Sequence, residues 1–161
     1  MSMVSLPSRR TFLVLAGTGL LLAGCSTTSV MTPTPGSVDE TEAALPLVNK
    51  LRQAQGLSPL GLDRPAQQAA GRQAVRMAKA KEMKHLIGFG DDFGDRMRKS
   101  EVALPAAENI ATGQHTVGEA VQAWIDSPKH LRNMLGSYKS LGVAAARASD
   151  GRLYWAMVLS N

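Results

Sequence analysis

Few side chains in this sequence combine a reactive type with a spacing that could support chemistry. The chain has three histidines and one cysteine, and no His-x-x-x-His pair that would place two metal ligands on one helix face. His85, Glu108 and His130 lie 23 and 22 residues apart. Two neutral imidazoles and a carboxylate can hold Zn²⁺ or another divalent metal, with water completing the shell, if the fold brings them together. Their chemistry therefore depends on the elements that position them.

Cys25 is the residue whose chemistry the sequence defines best. It ends the stretch Leu22-Ala23-Gly24-Cys25, which follows an apolar run from Phe12 to Ala23 and the pair Arg9-Arg10. A basic start, a short apolar run and small residues at a cleavage site are typical of a secretory signal, and the run is too short to span a bilayer. The stretch resembles a bacterial lipobox, which predicts cleavage just before Cys25 and acylation of its thiol, with palmitate as a candidate lipid.

The same segment predicts where the protein is found. Ser8-Arg9-Arg10-Thr11-Phe12-Leu13 resembles a twin-arginine export signal, although the general export route stays open. An acylated Cys25 predicts an exported protein held to a membrane of the cell envelope, and Ser26 after it favours the outer membrane in a two-membrane bacterium. The alternative is an ordinary secretion signal in which Cys25 occurs by chance.

Composition and charge predict one domain behind a tether. Residues 1–24 are assigned to the signal with its lipobox, residues 25–37 to a tether rich in Ser, Thr and Pro, and residues 38–161 to a single domain. Removal of residues 1–24 lowers the formal net charge from +5 to +3. With one Cys no internal disulfide can form, and mixed basic and acidic residues indicate a solvated surface rather than a nucleic-acid site. The oligomeric state stays open.

Helical signals fill the first two thirds of the domain. Leu47, Val48 and Leu51 predict a helix that starts near Pro46 and ends at Gly56. Met77 and Trp124 are expected in the core rather than at a ligand site. Four further helix starts are predicted by local capping patterns: Asp63-Arg64-Pro65, Asp91 or Asp92, Thr116-Val117-Gly118-Glu119, and Ser127-Pro128.

The C-terminal third changes to strand signals. Apolar runs at residues 141–148 and 153–159 flank Ser149-Asp150-Gly151-Arg152, and Asp-Gly between two such runs favours a tight hairpin turn. A strand is also predicted at Ile110. Helices followed by a hairpin predict an α+β domain in which helices pack on an antiparallel sheet.

Five sequence motifs, in this order, resemble the short bacterial branch of the CAP superfamily, also called the SCP domain. The resemblance covers about residues 42–159. The motifs are Asn49-x-x-Arg52-x-x-x-Gly56-Leu57-x-Pro59-Leu60, Met83-Lys84-His85, Glu108-Asn109-Ile110-Ala111-x-Gly113, Trp124-x-x-Ser127-Pro128-x-His130-x-x-Asn133-Met134-Leu135, and Leu141-Gly142-Val143-Ala144 with Tyr154-Trp155.

The resemblance implies a three-layer α-β-α sandwich with a largely antiparallel central sheet and an open cavity. In that family the cavity carries two His and often two Glu, which correspond here to His85, Glu108 and His130, with Ser127 at the position of the second Glu. Asp126 beside it is a candidate substitute. Asn109, next to Glu108, is included in the cavity set, and His85, His130 and Glu108 are the implied metal ligands.

Each of these residues also has a structural interpretation. His85 could bond a carbonyl at a helix end, Glu108 and Asn109 could satisfy backbone groups of a turn before the strand at Ile110, and His130 could be exposed surface. If His130 lies in a first helical turn, the helix dipole favours its neutral, ligating form.

Three functions are compatible with these patterns. The favoured one is a lipid-anchored binding module that holds a lipid or cell-wall ligand in a His- and Glu-lined cavity, with or without a divalent metal. The second is a structural or protein-interaction module of the envelope with a vestigial cavity. The third is a metal-assisted hydrolase or peptidase with Glu108 as base, against which the missing second carboxylate argues.

Overall fold

A computed structural model describes residues 33–161. Cys25, the predicted signal and the first part of the predicted tether lie outside these residues. Their helices are α1 (Thr41–Ala54), α2 (Arg64–Ala80), α3 (Phe93–Lys99), α4 (Val117–Ile125) and α5 (Pro128–Met134), and their strands are β1 (Ser37–Asp39), β2 (Gly61–Leu62), β3 (Ala107–Thr112), β4 (Ser140–Arg147) and β5 (Leu153–Ser160). Within residues 33–161, every helix is too short or too polar to cross a membrane.

Local capping residues start three of the helices as predicted. The side chains of Asp63, Asp92 and Thr116 accept hydrogen bonds from backbone N–H groups three residues later, which satisfies donors that have no partner within the helix. Ser127 occupies the position before α5 as expected, but its side chain makes no capping hydrogen bond.

The predicted start of α1 is wrong. The helix begins at Thr41, so Pro46 lies inside it. The carboxylate of Asp39 accepts hydrogen bonds from the Thr41 backbone N–H at 2.9 Å and from its hydroxyl at 2.6 Å. The same hydroxyl lies 2.9 Å from the Val143 backbone nitrogen on β4. The start of α1 is therefore fixed by contacts with the sheet, which proline spacing does not reveal.

The sheet confirms the predicted hairpin and adds two short strands. Its order is β1-β4-β5-β3, with all of these neighbours antiparallel. β2 pairs with β4 in parallel over two residues, and β1 begins at Ser37, one residue before the predicted start of the domain. Sequence analysis missed β1 and β2, because three and two residues are too few to show an alternating pattern.

Helices cover both faces of the sheet, so the predicted α+β class and three-layer sandwich are confirmed. One face packs on α2 and α3 and the other on α1, α4 and α5. Met77 and Trp124 are fully buried on opposite sides, as expected of core residues. At Gly142 a Cβ atom would lie 2.1 Å from the Gln67 backbone nitrogen of α2, so this glycine lets α2 rest directly on the sheet.

Candidate functional site

β3 forms an edge of the sheet and sends neighbouring side chains into different layers. Successive residues of a strand point to opposite faces. Glu108 therefore points toward α2 and α3, where its buried carboxylate meets Arg96 and His85. Asn109, which is also buried, points toward α5. The interpretation of Glu108 and Asn109 as turn residues is wrong, since both lie within the strand.

The Glu108 carboxylate is bound through both of its oxygens. Its side chain is 2% exposed. Arg96 donates from Nη1 to Oε2 at 2.9 Å and from Nη2 to Oε1 at 3.2 Å, which is the paired geometry that makes Arg–carboxylate contacts strong. Nδ1 of His85 lies 2.9 Å from Oε1. The structure thus brings Glu108 and His85 together and adds Arg96, which the sequence did not single out.

His85 is held by backbone contacts of the irregular segment that follows α2. Gln73, fully buried in α2, donates to the carbonyl oxygens of Lys84 at 2.8 Å and His85 at 3.2 Å. Arg96 also donates to the His85 carbonyl at 3.0 Å, and Arg76 donates to the Ile87 carbonyl at 2.7 Å. Side chains from α2 and α3 therefore fix the backbone that presents the imidazole, whose exposed fraction is 50%.

Asp91 completes a charged cluster on this side of the sheet, which consists of Arg76, His85, Asp91, Arg96 and Glu108. Its carboxylate pairs with Arg76 and lies 3.4 Å from Nε of Arg96, and it accepts a 2.7 Å hydrogen bond from the Ile87 N–H. Burial alone would raise the pKa of Asp91, but the hydrogen bonds of Arg76 and Ile87 and the charges of Arg76 and Arg96 lower it below its ordinary value. The sequence predicts either Asp91 or Asp92 as a helix cap, and the structure gives that role to Asp92.

His130 approaches the cluster from the other helical layer. The Asn109 amide donates to the His130 carbonyl at 3.0 Å and accepts from Asn133 at 2.8 Å, so Asn109 positions α5 rather than joining His85. Burial and, secondly, the charge of His85 lower the pKa of His130 below its ordinary value. The lowered pKa favours the neutral ring, and burial rather than the helix dipole is its main cause.

Asp126 does not join the contacts of Glu108. It is exposed at the end of α4, and its carboxylate accepts a 2.8 Å hydrogen bond from Gln122 one turn earlier. The structure thus gives Asp126 a partner on its own helix and not the substitute role suggested by the sequence.

The charged cluster does not fit a divalent metal as it stands. Both oxygens of Glu108 are hydrogen-bonded to Arg96, so a cation already neutralises the carboxylate. Over residues 33–161 no three His, Cys, Asp or Glu side chains converge in a way that could hold a metal ion. The predicted ligand set of His85, Glu108 and His130 is replaced by an Arg-Glu-His network.

Sequence reasoning missed Arg96 because it resembles a solvated charge. Arg96 lies on a short helix between Asp95 and Arg98, two exposed residues. Its guanidinium carbon lies 5.4 Å from the centre of the Phe93 ring, one turn earlier, a contact that favours a cation over an aromatic face. The i, i+3 spacing of Phe93 and Arg96 on a short helix is the sequence feature that agrees with this contact.

Comparison with known proteins assigns the family. Residues 45–159 match the model of the CAP family, the cysteine-rich secretory protein family. This chain therefore belongs to the CAP family, as the five motifs predicted, although it carries a single cysteine.

Relatives share this region but differ in length. The uncharacterized protein YkwD of Bacillus subtilis (strain 168) is 34% identical over 120 residues, which are 72% of this chain and 46% of that protein. The chain thus spans about half the length of this curated relative.

Solved structures share the fold at low identity. An outer surface protein from Borrelia burgdorferi has a TM-score of 0.67 and 20% identity, over 78% of this chain and 96% of that one. An extracellular SCP-domain protein from Bacillus anthracis has a TM-score of 0.66 and 23% identity, over 76% of this chain and 40% of that one. These likenesses concern the fold.

Proposed function

We propose that this protein is an exported, lipid-anchored binding module that holds a cell-wall ligand at the surface of His85 and His130, supported by the buried Glu108, or a lipid whose acyl chain lies in a separate apolar groove. The observation that carries the proposal is the half-exposed imidazole of His85, bonded to a buried carboxylate. A polar group fixed by a buried network and open to solvent on its other side is suited to hydrogen-bond a ligand.

The chemistry of this surface favours a ligand with both polar and apolar parts. Nδ1 of His85 faces Glu108, which leaves Nε2 as the ring nitrogen for a ligand, and the neutral ring of His130 adds a second group that can donate or accept. Met83 and Leu86 beside His85 are large apolar residues with about half of their surface exposed. Sugar and peptide groups of a wall fragment, or a lipid headgroup with its first methylenes, have this composition.

A groove between α1 and α4 supports the lipid form of the proposal. Its volume is about 400 Å³, and its lining includes the apolar residues Leu47, Leu51, Val121 and Ile125, together with Lys50. A mostly apolar groove with a charged group is typical of sites for small amphipathic molecules. A wall fragment and an acyl chain would use different parts of the protein, which allows the two to be separated by mutation.

Hydrolysis is less well supported by the geometry. A general base needs a free oxygen within reach of a proton on water or substrate, whereas both Glu108 oxygens are bonded to Arg96 and the side chain is almost completely buried. Hydrolase or peptidase activity that survives in Glu108→Gln would exclude Glu108 as the base. Activity that is present in the wild type and lost in Glu108→Gln, while the variant still folds, would restore the hydrolase interpretation.

A protein-interaction role is a second candidate. Phe89 is completely exposed and lies between Gly88 and Gly90, whose φ angles of +94° and +71° belong to the left-handed region that favours glycine. An aromatic side chain presented in this way is typical of residues that anchor protein partners. Phe89→Ser should abolish capture of such a partner and leave muropeptide binding unchanged.

Two further observations support the location. Two of the structural relatives are named as an outer surface protein and an extracellular protein, and the sequence places Cys25 at the end of a lipobox-like stretch. Labelling of cells with radioactive palmitate tests the anchor. Incorporation into the wild-type chain and its loss in Cys25→Ser are expected, and equal labelling of both would contradict acylation at Cys25.

Binding is tested with muropeptides and with vesicles of bacterial phospholipid. His85→Ala combined with His130→Ala should weaken muropeptide binding by about tenfold or more, since each lost hydrogen bond to a ligand contributes about 1 kcal/mol. Gly118→Leu should fill the α1–α4 groove and weaken only acyl-chain binding. His115→Ala, at an exposed histidine in the loop before α4, is the matched control.

The same measurements can contradict the proposal. If the double histidine variant binds muropeptides as well as the wild type does, the His85 surface is not the site of the wall ligand, and if Gly118→Leu leaves lipid binding unchanged, the α1–α4 groove is not the site of the acyl chain. If no muropeptide or lipid binds the wild-type protein, the Phe89 interaction surface becomes the favoured alternative.

A further inference from the structure

The guanidinium of Arg96 lies where two carboxylates and a histidine meet. Nη1 and Nη2 contact both oxygens of Glu108 at 2.9 and 3.2 Å, and Nε lies 3.4 Å from Oδ1 of Asp91. Nη2 also donates to the backbone carbonyl of His85 at 3.0 Å. Only 15% of the Arg96 side chain is exposed, so the cation is held on several sides by oxygen atoms.

The groups around this guanidinium are those that bind divalent cations. Carboxylate and carbonyl oxygens suit Mn²⁺ and Mg²⁺, and an imidazole nitrogen suits several transition metals. The Nδ1 atom of His85 is 2.9 Å from Glu108 Oε1, so an ion bound to that carboxylate would have the ring beside it. Arg76 is the second arginine of the charged cluster, and it pairs with Asp91.

We propose that Arg96 is a built-in counter-cation that excludes divalent metal from Glu108 and His85. A guanidinium is charged at all pH values the protein meets and binds a carboxylate through two fixed hydrogen bonds. A metal ion at Glu108 would have to displace it, which would separate a largely buried positive charge from its closest carboxylate. Removal of the charge should therefore let Glu108 and His85 bind a divalent ion, with water as the remaining ligands.

The proposal concerns the site of the proposed function but does not depend on any lipid or wall ligand. It explains why His85 and Glu108, two of the residues that the family resemblance implies as metal ligands, lie 2.9 Å apart without forming a metal site. It also assigns the exclusion of metal to Arg96, a residue outside the family motifs. The prediction on metal binding can therefore fail while the prediction on muropeptide or lipid binding succeeds, and the reverse is equally possible.

The experiment measures Mn²⁺ binding to the purified full chain from the EPR signal of the free ion. Mn²⁺ is chosen because it prefers oxygen and imidazole ligands to the thiol of Cys25. Arg96→Met removes the charge and keeps an unbranched side chain, and it should tighten Mn²⁺ binding by about 10-fold or more. Arg96→Lys keeps a cation and should bind Mn²⁺ no better than the wild type.

Arg72→Met is the matched control. Arg72 and Arg96 both line a cavity of about 240 Å³ between α2 and α3, but the hydrogen bonds of Arg72 join Ser100 and Gln68. Its loss removes an equal charge nearby without freeing Glu108, so Mn²⁺ binding should not change. Tight binding in Arg72→Met as well would show a general charge effect and overturn the proposal.

Two further results would overturn it. One is Mn²⁺ binding to the wild type as tight as to Arg96→Met, and the other is a folded Arg96→Met that binds no Mn²⁺. Should Arg96→Met fail to fold, Arg96→Gln is used in the same way. Should both fail, refolding with Mn²⁺ decides: recovery that also requires Glu108 supports the proposal, and the absence of recovery refutes it.

Discussion

The two helical layers each contain a largely buried arginine, and the two are held by different partners. Arg52 of α1, which is 2% exposed, donates to three backbone carbonyls: Ser58 at 2.9 Å, Met134 at 2.8 Å and Gly136 at 2.8 Å. Arg96 of α3 is held mainly by carboxylates. Burial lowers the pKa of Arg52 from its ordinary value, yet the guanidinium remains charged at neutral pH.

This difference separates a structural arginine from one that controls a site. Arg52 joins α1 to the end of α5 through groups that do not titrate, so its contacts should respond little to pH. Arg96 neutralises Glu108 beside the half-exposed His85, so a change at Arg96 alters the charge that a ligand or ion meets. The layer of α2 and α3 is therefore the chemically responsive one.

The largest expected effect on stability tests this difference between Arg96 and Arg52 directly. Arg96→Met should reduce the free energy of unfolding by about 3–5 kcal/mol at pH 7 without added metal, because it leaves the buried Glu108 carboxylate without its paired guanidinium and with His85 as its remaining partner. Arg52→Met should cost less, about 1–3 kcal/mol, since of the three neutral carbonyls that lose a donor only that of Met134 is fully buried, while those of Ser58 and Gly136 can bond water. Urea unfolding followed by circular dichroism measures both.

The double variant Arg96→Met with Glu108→Leu serves as the control. Replacement of a buried ion pair by apolar residues is often close to neutral, so the double variant should recover most of the stability. Equal losses in Arg96→Met and Arg52→Met, or no recovery in the double variant, would show that the two arginines have the same role.

The next effect tests how closely the α2 layer packs. Gly142→Ala should destabilise the protein by about 3 kcal/mol, because the new Cβ would lie 2.1 Å from the Gln67 backbone nitrogen and 2.3 Å from the Ala66 carbonyl carbon. Gly118→Ala on α4 is the control. Its Cβ meets nothing closer than 3.9 Å, and alanine in a helix is more favourable than glycine by about 0.5–1 kcal/mol.

Thermal unfolding separates these two glycine variants. A lowered Tm for Gly142→Ala with an unchanged or raised Tm for Gly118→Ala is expected. A Gly142→Ala protein as stable as the wild type would mean that α2 can move away from β4 at little cost.

A smaller effect on stability concerns Asn109, whose uncharged side chain joins β3 to α5. Asn109→Ala should cost about 2 kcal/mol, because the His130 carbonyl and the Asn133 amide both lose their partner in a mostly buried place. Hydrogen exchange should then increase in α5 and much less in α3. Uniform loss of protection across both layers would contradict the assignment of Asn109 to α5.

The smallest effect is the pH dependence of His130. Its folded pKa lies below the unfolded value of about 6.5, so the folded state binds fewer protons and stability falls as pH decreases below about 6.5. The loss continues until pH passes the folded pKa. His130→Gln should flatten this part of the stability curve, which urea unfolding at several pH values measures.

A second loss of stability at low pH tests the layer of α2 and α3, where Asp91 lies. The folded pKa of Asp91 is lowered, so its contribution is present above its unfolded pKa of about 3.9 and is lost as pH falls through the folded value. Asp91→Asn should remove that loss and leave the His130 part unchanged. Identical curves for both variants and the wild type would show that neither group is linked to folding.

Local features of the fold followed from local sequence. Asp63, Asp92 and Thr116 cap helices through hydrogen bonds that span three residues, and the hairpin of β4 and β5 turns at Asp150 and Gly151. Such patterns are legible because both partners stand close together in the chain. The family resemblance added the layer order and brought attention to His85, Glu108 and His130.

The sequence by itself determined the family, the helix caps, the hairpin and the expectation of a lipid-modified Cys25. Only the tertiary structure decided that Glu108 meets Arg96 and His85 while its neighbour Asn109 joins α5. The reason is geometric: alternate residues of an edge strand enter different layers, and their partners come from segments 12 to 24 residues away. Arg96 resembles a solvated charge in the sequence, but in the fold it is largely buried and its charge is held against Glu108 and Asp91.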